Sequence, residues 1–134
     1  MLDTNVVVSG VLSPHGPPGR IVDLVIAGAV TLIYDDRILS EYLAVLVRPR
    51  FGLKAAGVNA FVEFIAFNGE AVAAAPLRTA VSDPDDIAFV EVAVAGGAEA
   101  LVTGNLRHFD SAGKEFGLRV LTPSQFIADW IASK

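Results

Sequence analysis

Residues 2–9 read Leu2-Asp3-Thr4-Asn5-Val6-Val7-Val8-Ser9, an apolar start followed at once by a short polar acid. This order predicts a buried strand over Met1–Thr4 and a helix over Asn5–Leu12. Ligands of open α/β sheets bind at the carboxyl ends of the strands, so the Asp3 carboxylate is a candidate metal ligand. The rest of the chain decides whether that carboxylate has partners.

Strand-like and helix-like segments alternate along the rest of the chain. Apolar residues at helical spacing predict helices over residues 20–29, 36–47, 58–67, 84–95 and 124–132, and a proline- and glycine-rich loop over 14–19. Apolar runs predict strands over residues 30–34, 71–77, 100–103 and 118–121. The alternation predicts an α/β fold, a three-layer α/β/α arrangement with a central parallel sheet of four or five strands, in one domain spanning residues 1–134.

Composition limits the classes of protein to consider. The 134 residues are 53% hydrophobic, enough for a sizeable core, and without cysteine there is no disulfide, thiolate zinc site or cysteine nucleophile. The net charge of −5 argues against a broad basic face for nucleic acid, but not against an enzyme whose metal-loaded acids attract phosphate. With no signal-peptide pattern and no long apolar stretch, we expect a cytoplasmic protein with no membrane span.

Acidic and other polar residues from several parts of the chain are expected to lie together at one edge of the sheet. Thr103-Gly104-Asn105 follows a predicted strand, and right-handed crossovers bring it to the same edge as Asp3. Glu41 borders the apolar face of a predicted helix. Three more acids crowd the first turn of a later helix: Asp83, Asp85 and Asp86. Hard oxygen ligands that leave positions open for water and phosphate suit Mg²⁺ or Mn²⁺.

Each of these residues also has a purely structural interpretation. Asp83 is typical of a helix cap, and Asp3 can cap the helix that follows it. Acids in a first helical turn are favoured by the helix dipole, and a helical glutamate such as Glu41 is usually solvated. Asn105 can cap a turn, and His108 is more often a surface histidine than a catalytic one. On the residues alone, both interpretations stay open.

Four motifs in this order resemble the PIN-domain family. They are Leu2-Asp3-Thr4-Asn5 with Ser9, Ser40-Glu41-Tyr42-Leu43 with Arg48-Pro49, Asp83-Pro84-Asp85-Asp86 with Phe89, and Val102-Thr103-Gly104-Asn105 with His108-Phe109. The chain is most similar to the small VapC-like ribonuclease toxins of bacterial type II toxin–antitoxin pairs, over nearly its whole length. The resemblance implies a PIN-like fold, an Mg²⁺- or Mn²⁺-dependent endoribonuclease that hydrolyses RNA phosphodiester bonds, a cognate antitoxin protein as inhibitor, and a homodimer.

The resemblance also implies roles for individual residues. Asp3, Glu41 and Asp86 match the family's first three acids, which hold the metal and carry the catalysis, with Asp85 as the alternative to Asp86. The implied supporting residues are Asn5, Ser9, Thr103 and Asn105. The candidates for contact with the RNA backbone are Arg48, Arg107 and His108.

The chain departs from the family pattern at two places. The family's fourth acid commonly follows a Thr-Gly pair, where this chain has Asn105, which can coordinate but brings no charge. Either one metal suffices or substrate phosphate completes a second site, with Asp110 as a further substitute. Only two apolar residues precede Asp3, fewer than family members have; the start is trimmed or misassigned, or the first strand is short.

Two classes of function follow. The first is an active metal-dependent ribonuclease. The second is a catalytically weak or inactive PIN-like scaffold that binds RNA or a protein, which Asn105 and the net acidity favour. An aspartate-nucleophile phosphotransferase would need a second aspartate two residues after Asp3, where this chain has Asn5. The sequence does not identify the RNA, its cleavage site or the antitoxin.

Overall fold

The structure of the protein, a computed structural model, describes residues 1–78 and 83–134. Its helices are α1 (Thr4–Leu12), α2 (Pro17–Ile26), α3 (Asp36–Leu46), α4 (Ala55–Asn68), α5 (Pro84–Ala95), α6 (Asp110–Phe116) and α7 (Pro123–Ala132). Its strands are β1 (Ile33–Tyr34), β2 (Glu70–Ala71), β3 (Leu101–Val102) and β4 (Val120–Leu121). In these ranges every helix is too short or too polar to traverse a bilayer. The order of elements is that of an α/β protein, as the sequence predicts.

The strands pair in parallel and are much shorter than predicted. β1 lies beside β2, and β3 lies beside β4. Leu2, in place of the predicted strand over Met1–Thr4, makes a single parallel bridge to Val102 on the other edge of β3. The single sheet of four or five strands is therefore not confirmed, since strands in the described ranges pair two and two.

The segment after β2 shows why the predicted strands are too long. A strand over residues 71–77 was expected, but the ladder ends at Ala71 and the alanines that follow are exposed or half-buried. Alanine side chains offer little apolar surface, so they contribute little to holding a backbone in a pleated ladder. The chain here leaves the sheet after two residues.

Several helix boundaries differ from the predicted ones for local reasons. α2 begins at Pro17, inside the predicted loop over 14–19, because proline suits the first position of a helix. α4 begins at Ala55 rather than residue 58. α7 begins at Pro123, where the Thr122 hydroxyl and the Gln125 side chain form a reciprocal capping box. Helix α6 was not predicted.

Aspartates cap two helices that carry candidate site residues, and the predicted cap at Asp83 is confirmed. The Asp35 carboxylate accepts a hydrogen bond from the Ile38 N–H at 3.1 Å at the start of α3. The Asp83 carboxylate accepts from the Asp85 N–H at 2.9 Å at the start of α5. These caps satisfy amides that a helix start leaves without partners, and they fix where each helix begins.

Core contacts hold Leu2 against α3. Tyr42 is fully buried, and its hydroxyl donates to the Leu2 carbonyl at 2.5 Å. The Tyr42 ring lies 6.5 Å from the Phe89 ring of α5, centroid to centroid. Because these contacts join Leu2, α3 and α5, they fix the relative positions of the residues beside them, Asp3, Glu41 and Asp86.

A close helix crossing fixes the direction of α1. A Cβ on Gly10 would lie 2.5 Å from Val22 Cγ2 and 2.6 Å from the Pro18 carbonyl oxygen, both on α2. Only glycine allows the two backbones to approach this closely. The close packing of α1 on α2 thereby fixes the position of the first turn of α1, which follows Asp3.

Candidate active site

One open cavity of about 380 Å³ receives side chains from the start of α1, from α3, from the first turn of α5 and from the loop after β3. Seven of the predicted site residues line it: Asp3, Asn5, Ser9, Glu41, Asp86, Asn105 and His108. These residues are up to about one hundred positions apart in the sequence. Asp3 and Asn105 come together because Leu2 lies beside Val102 of β3, whereas α3 and α5 bring Glu41 and Asp86 to the same cavity.

Asp3 is buried at the base of the cavity. Its backbone N–H donates to the Val102 carbonyl at 2.9 Å, and its carboxylate Oδ2 accepts from the Thr103 hydroxyl at 2.7 Å. The Asp3 side chain makes no capping hydrogen bond to α1, so the structural interpretation of Asp3 as a cap is wrong. Thr103 is fully buried behind the cavity, and its hydroxyl fixes the orientation of the Asp3 carboxylate.

Glu41 reaches the cavity from the middle of α3. Its carboxylate Oε2 accepts a hydrogen bond from the Thr4 hydroxyl, which the sequence gave no reason to single out. Glu41 is half-buried, in agreement with its predicted place at the border of the apolar face. The threonines on either side of the site thus orient two different acids, Thr103 for Asp3 and Thr4 for Glu41.

Asp86 extends from the first turn of α5, and its side chain is 12% exposed. Its Oδ2 lies 3.1 Å from His108 Nδ1, which makes an ion pair when the imidazole is protonated. Among the described residues, this oxygen is a buried side-chain acceptor with no donor. Asp85, the alternative to Asp86, does not line this cavity but a neighbouring one of about 290 Å³.

Burial disfavours the ionised form of all three acids, and repulsion from other acids adds to the effect for Glu41 and Asp86. Burial raises the pKa of Asp86 to about 6, with repulsion from Asp3 adding to the effect and His108 opposing it. Burial also raises the pKa of Asp3, against the hydrogen bond from Thr103, and the pKa of Glu41, against the hydrogen bond from Thr4. A bound cation would favour the ionised form of these carboxylates and so offset the effect of burial.

Two asparagines join the loop after β3 to the rest of the site. The Asn5 side-chain oxygen accepts from the Gly104 N–H at 3.2 Å, which ties α1 to that loop. The Asn105 N–H donates to the Thr103 hydroxyl oxygen at 3.0 Å, and Asn105 Nδ2 lies 2.9 Å from His108 Nε2. Asn105 therefore positions its neighbours as well as facing the cavity.

The basic residues differ from the predicted set. Arg48 and Arg107 are exposed and do not line the cavity, whereas Arg50 and Phe51 do. The Arg50 guanidinium lies over the Phe51 ring, 4.8 Å from its centroid. Both follow the end of α3 in the 3₁₀ turn Pro49–Phe51, in a stretch of sequence whose basic residues are Arg48, Arg50 and Lys54.

An ion pair between a half-exposed arginine and a buried glutamate beside the site was not predicted. Glu91 of α5 is 5% exposed and pairs with Arg37 of α3 at 2.7 Å. Its second oxygen accepts from the Leu77 N–H at 2.7 Å. Arg37 also pairs with Asp35 at 2.7 Å. Glu91 therefore joins α3, α5 and the segment after β2, and it supports the site from outside the cavity.

The donor set fits a hard divalent cation in its chemistry. It comprises carboxylate oxygens, an amide and an imidazole, and it includes the buried Asp86 oxygen that lacks a donor. Within residues 1–78 and 83–134, no three histidine or acidic side chains are grouped so that they could hold one ion. Mg²⁺ in nucleotide-processing sites is often held by one or two carboxylates, with water and substrate phosphate as the other ligands.

Comparison with known proteins bears on the same residues. The family model described as the PIN domain matches residues 1–107, which include Asp3, Glu41, Asp86 and Asn105. The chain is 28% identical to the uncharacterized protein MJ1680 of Methanocaldococcus jannaschii, over 97% of this chain and 90% of that protein. No solved structure matches the chain significantly.

Proposed function

The chain belongs to the PIN-domain family, a family of nucleases in general, and from this premise we propose that it is a metal-dependent endoribonuclease. The observation that carries the proposal is the convergence of Asp3, Glu41 and Asp86 on one cavity, with a buried Asp86 oxygen that has no donor among the described residues. The proposed reaction is hydrolysis of an RNA phosphodiester bond.

The acids would hold Mg²⁺ or Mn²⁺ with the help of water and RNA phosphate. A bound divalent cation supplies a water of lowered pKa and neutralises charge that develops on the phosphate. Asp3 and Asp86 are the proposed ligands, and Glu41 coordinates or orients the attacking water. The Thr103 and Thr4 hydroxyls keep Asp3 and Glu41 oriented, as an outer shell around metal ligands does.

Arg50 and Phe51 are the proposed contacts for the RNA beside the cleaved bond. Arg50 is the arginine among the lining residues, in a cavity that also receives four acids. A guanidinium pairs with phosphate oxygens, and an aromatic ring stacks on an unpaired base. Together they would bind a single-stranded segment across the mouth of the cavity, while Ser9 and Asn5 contact phosphate from α1.

The finer biological assignments are proposals that rest on the resemblance to VapC-like toxins. The chain would act in the cytoplasm as the toxin of a toxin–antitoxin pair and would form a homodimer. Ile26 of α2 is 52% exposed and Val47 after α3 is 41% exposed. Apolar residues of this kind fit either a second copy or the apolar face of an antitoxin helix.

A second candidate function is a PIN-like scaffold that binds RNA or protein without cleavage. Two observations favour it. Asn105 stands where a fourth acid is common in the family, and no three ligands for one ion are grouped in the part of the chain that the structure describes. A scaffold would bind RNA equally well with and without divalent metal.

Incubation of the purified protein with mixed RNAs, in Mg²⁺ or Mn²⁺ and in EDTA, separates the two candidates. We expect cleavage with metal and none in EDTA. Asp3→Asn and Asp86→Asn should each lower the cleavage rate by about 100-fold or more, because even the outer-shell partners of metal ligands are worth about 10- to 100-fold.

The control is Asp23→Asn, which removes one exposed acid from α2 outside the cavity. Its cleavage rate should equal that of the wild type. Cleavage that survives Asp3→Asn, or wild-type protein that binds RNA but cuts none in either metal, would rule out the nuclease and leave the scaffold.

A further inference from the structure

A second cavity, of about 290 Å³, adjoins the candidate active site, and Glu41 lines both cavities. Part of its wall is apolar and comes from α5, where Ile87 and Ala88 are half-buried. Its other polar groups are the Arg37 guanidinium of α3 and the Asp85 carboxylate of α5. A cation, an acid and an apolar wall therefore meet directly beside the proposed catalytic acids.

Two acids fix the Arg37 guanidinium and balance its charge. Its Nε and Nη2 lie 2.8 Å and 2.7 Å from Asp35 Oδ2, and its Nη1 donates to Glu91 Oε1 at 2.7 Å. A guanidinium has five N–H donors, so these acids leave one N–H on Nη1 and one on Nη2 for another acceptor. The Arg37 side chain is 50% exposed. Because two carboxylates already offset its charge, it suits a neutral acceptor better than a phosphate.

Asp85 brings the opposite chemistry to the same cavity. It is exposed in the first turn of α5, and its backbone N–H is held by the Asp83 carboxylate at 2.9 Å. An ionised carboxylate only accepts, and its two oxygens can accept from two parallel donors at once. The cavity therefore offers a pair of donors on one side chain and a pair of acceptors on another.

Guanine is the RNA base that matches both side chains. Its O6 and N7 accept a bidentate pair of hydrogen bonds from arginine. Its N1–H and 2-amino group form a pair of donors on the Watson–Crick edge, which a carboxylate can accept. Adenine and cytosine each present one amino group to a carboxylate, and uracil one N–H, so none of them satisfies both pairs. The flat face of a purine would pack on Ile87 and Ala88.

We propose that this second cavity binds a guanine base of single-stranded RNA beside the cleaved bond, and that Arg37 and Asp85 recognise that base. The proposal rests on the proposed function and narrows its substrate class to RNA with guanine next to the cleavage site. Since Glu41 lines both cavities, a phosphate at the acids and the base of an adjoining nucleotide would lie on either side of it. A single strand is required because only unpaired bases can enter such a cavity.

Binding of nucleosides in EDTA tests the subsite without metal and without cleavage. Nuclear magnetic resonance of ¹⁵N-labelled protein follows the backbone amides during titration with each nucleoside. We expect guanosine to shift the amides of residues 85–88 and to bind about 10-fold more tightly than adenosine or cytidine. Inosine lacks the 2-amino group and 7-deazaguanosine lacks N7, so each should bind about 10-fold more weakly than guanosine.

Two variants assign these preferences to their residues. Asp85→Asn should remove the preference for guanosine over inosine, because asparagine replaces one acceptor with a donor. Arg37→Lys should remove the preference for guanosine over 7-deazaguanosine, because an ammonium does not form the bidentate pair. Each variant should keep the preference that the other one loses. A general loss of stability weakens both nucleosides alike and leaves these ratios unchanged.

The matched controls change exposed residues outside both cavities. Asp36→Asn removes an acid from the first turn of α3, and Arg20→Lys makes the same change of cation on α2. Both should bind all the nucleosides as the wild type does. On RNA, we expect guanine beside the cleaved bond, and inosine in its place should lower kcat/KM about 10-fold in the wild type but not in Asp85→Asn.

The possible failures are distinguishable. If guanosine binds no more tightly than adenosine and cytidine, or if neither ratio changes in its variant, the guanine subsite is wrong. RNA cleavage in Mg²⁺ or Mn²⁺ then decides the nuclease function separately. If guanosine binds with the expected ratios but the wild type cuts no RNA, the nuclease proposal fails, and the guanine site belongs to the scaffold. Cleavage with no guanine on either side of the cut would refute the link between the two cavities.

Discussion

The substitution Asp86→Asn should stabilise the protein at neutral pH while it lowers the cleavage rate by about 100-fold or more. Asp86 has a pKa of about 6 in the folded chain against an ordinary value of 3.8, because it is buried and faces Asp3. Between these values the folded chain holds a proton that the unfolded chain has released. The free energy of unfolding therefore falls as the pH rises from about 4 to about 6.

The size of the effect follows from the same pKa. A pKa of about 6 in place of 3.8 corresponds to about 3 kcal/mol that ionisation of Asp86 costs the folded state. Solvent screening across an open cavity reduces this to about 1–2 kcal/mol. Asparagine removes the charge and keeps the shape, so Asp86→Asn should recover about 1–2 kcal/mol at pH 7.

Urea denaturation of metal-free protein in EDTA at pH 7 and at pH 4 measures this gain. Asp85→Asn is the matched control, since Asp85 is exposed in the same helical turn and loses the same interaction with the helix dipole, about 0.3–1 kcal/mol. The difference between the two variants isolates burial and the repulsion from Asp3. The reasoning is refuted if Asp86→Asn is no more stable than Asp85→Asn at pH 7, or if the gain is as large at pH 4.

Three further predictions follow from single contacts. Thr103→Val leaves the buried Asp3 oxygen without its donor and should lower the free energy of unfolding by about 1–3 kcal/mol in urea denaturation, whereas Thr31→Val, at an exposed position, should change it little. Gly10→Ala places a Cβ 2.5 Å from Val22 Cγ2 and should cost about 1–3 kcal/mol, which an unchanged Tm would contradict. Mn²⁺ at 100 times its Kd should stabilise the wild type by about 2.7 kcal/mol, and an equal gain in Asp86→Asn would contradict the site.

The sequence predicts the order of elements better than their extent. The predicted strand positions overlap β1, β2, β3 and β4, because apolar runs mark them, but pairing reaches only two residues in each. Pairing depends on the partner strand, which no local pattern records. Helix α6 was missed because Ser111 and Gly113 are poor helix formers, although Ala112 between them is fully buried.

In the candidate site, too, some features could be predicted from the sequence and others could not. Topology alone predicts that Asp3 and the loop after β3 share an edge, and both line the cavity. The Thr4 hydroxyl on Glu41 and the pair of Glu91 with Arg37 were not predicted, since each joins residues on different helices. Arg50 rather than Arg48 lines the cavity; Arg50 lies in the 3₁₀ turn after α3, and the charge pattern does not record which way a turn directs its side chains.

The most direct test of the central claim is anomalous diffraction at the manganese edge from crystals grown with MnCl₂. We expect one peak in the cavity, within about 2.0–2.3 Å of carboxylate oxygens of Asp3 and Asp86. A fully hydrated cavity at saturating Mn²⁺, or a peak bound only by acids outside it such as Asp23 or Asp85, would contradict the claim that these acids form a metal site.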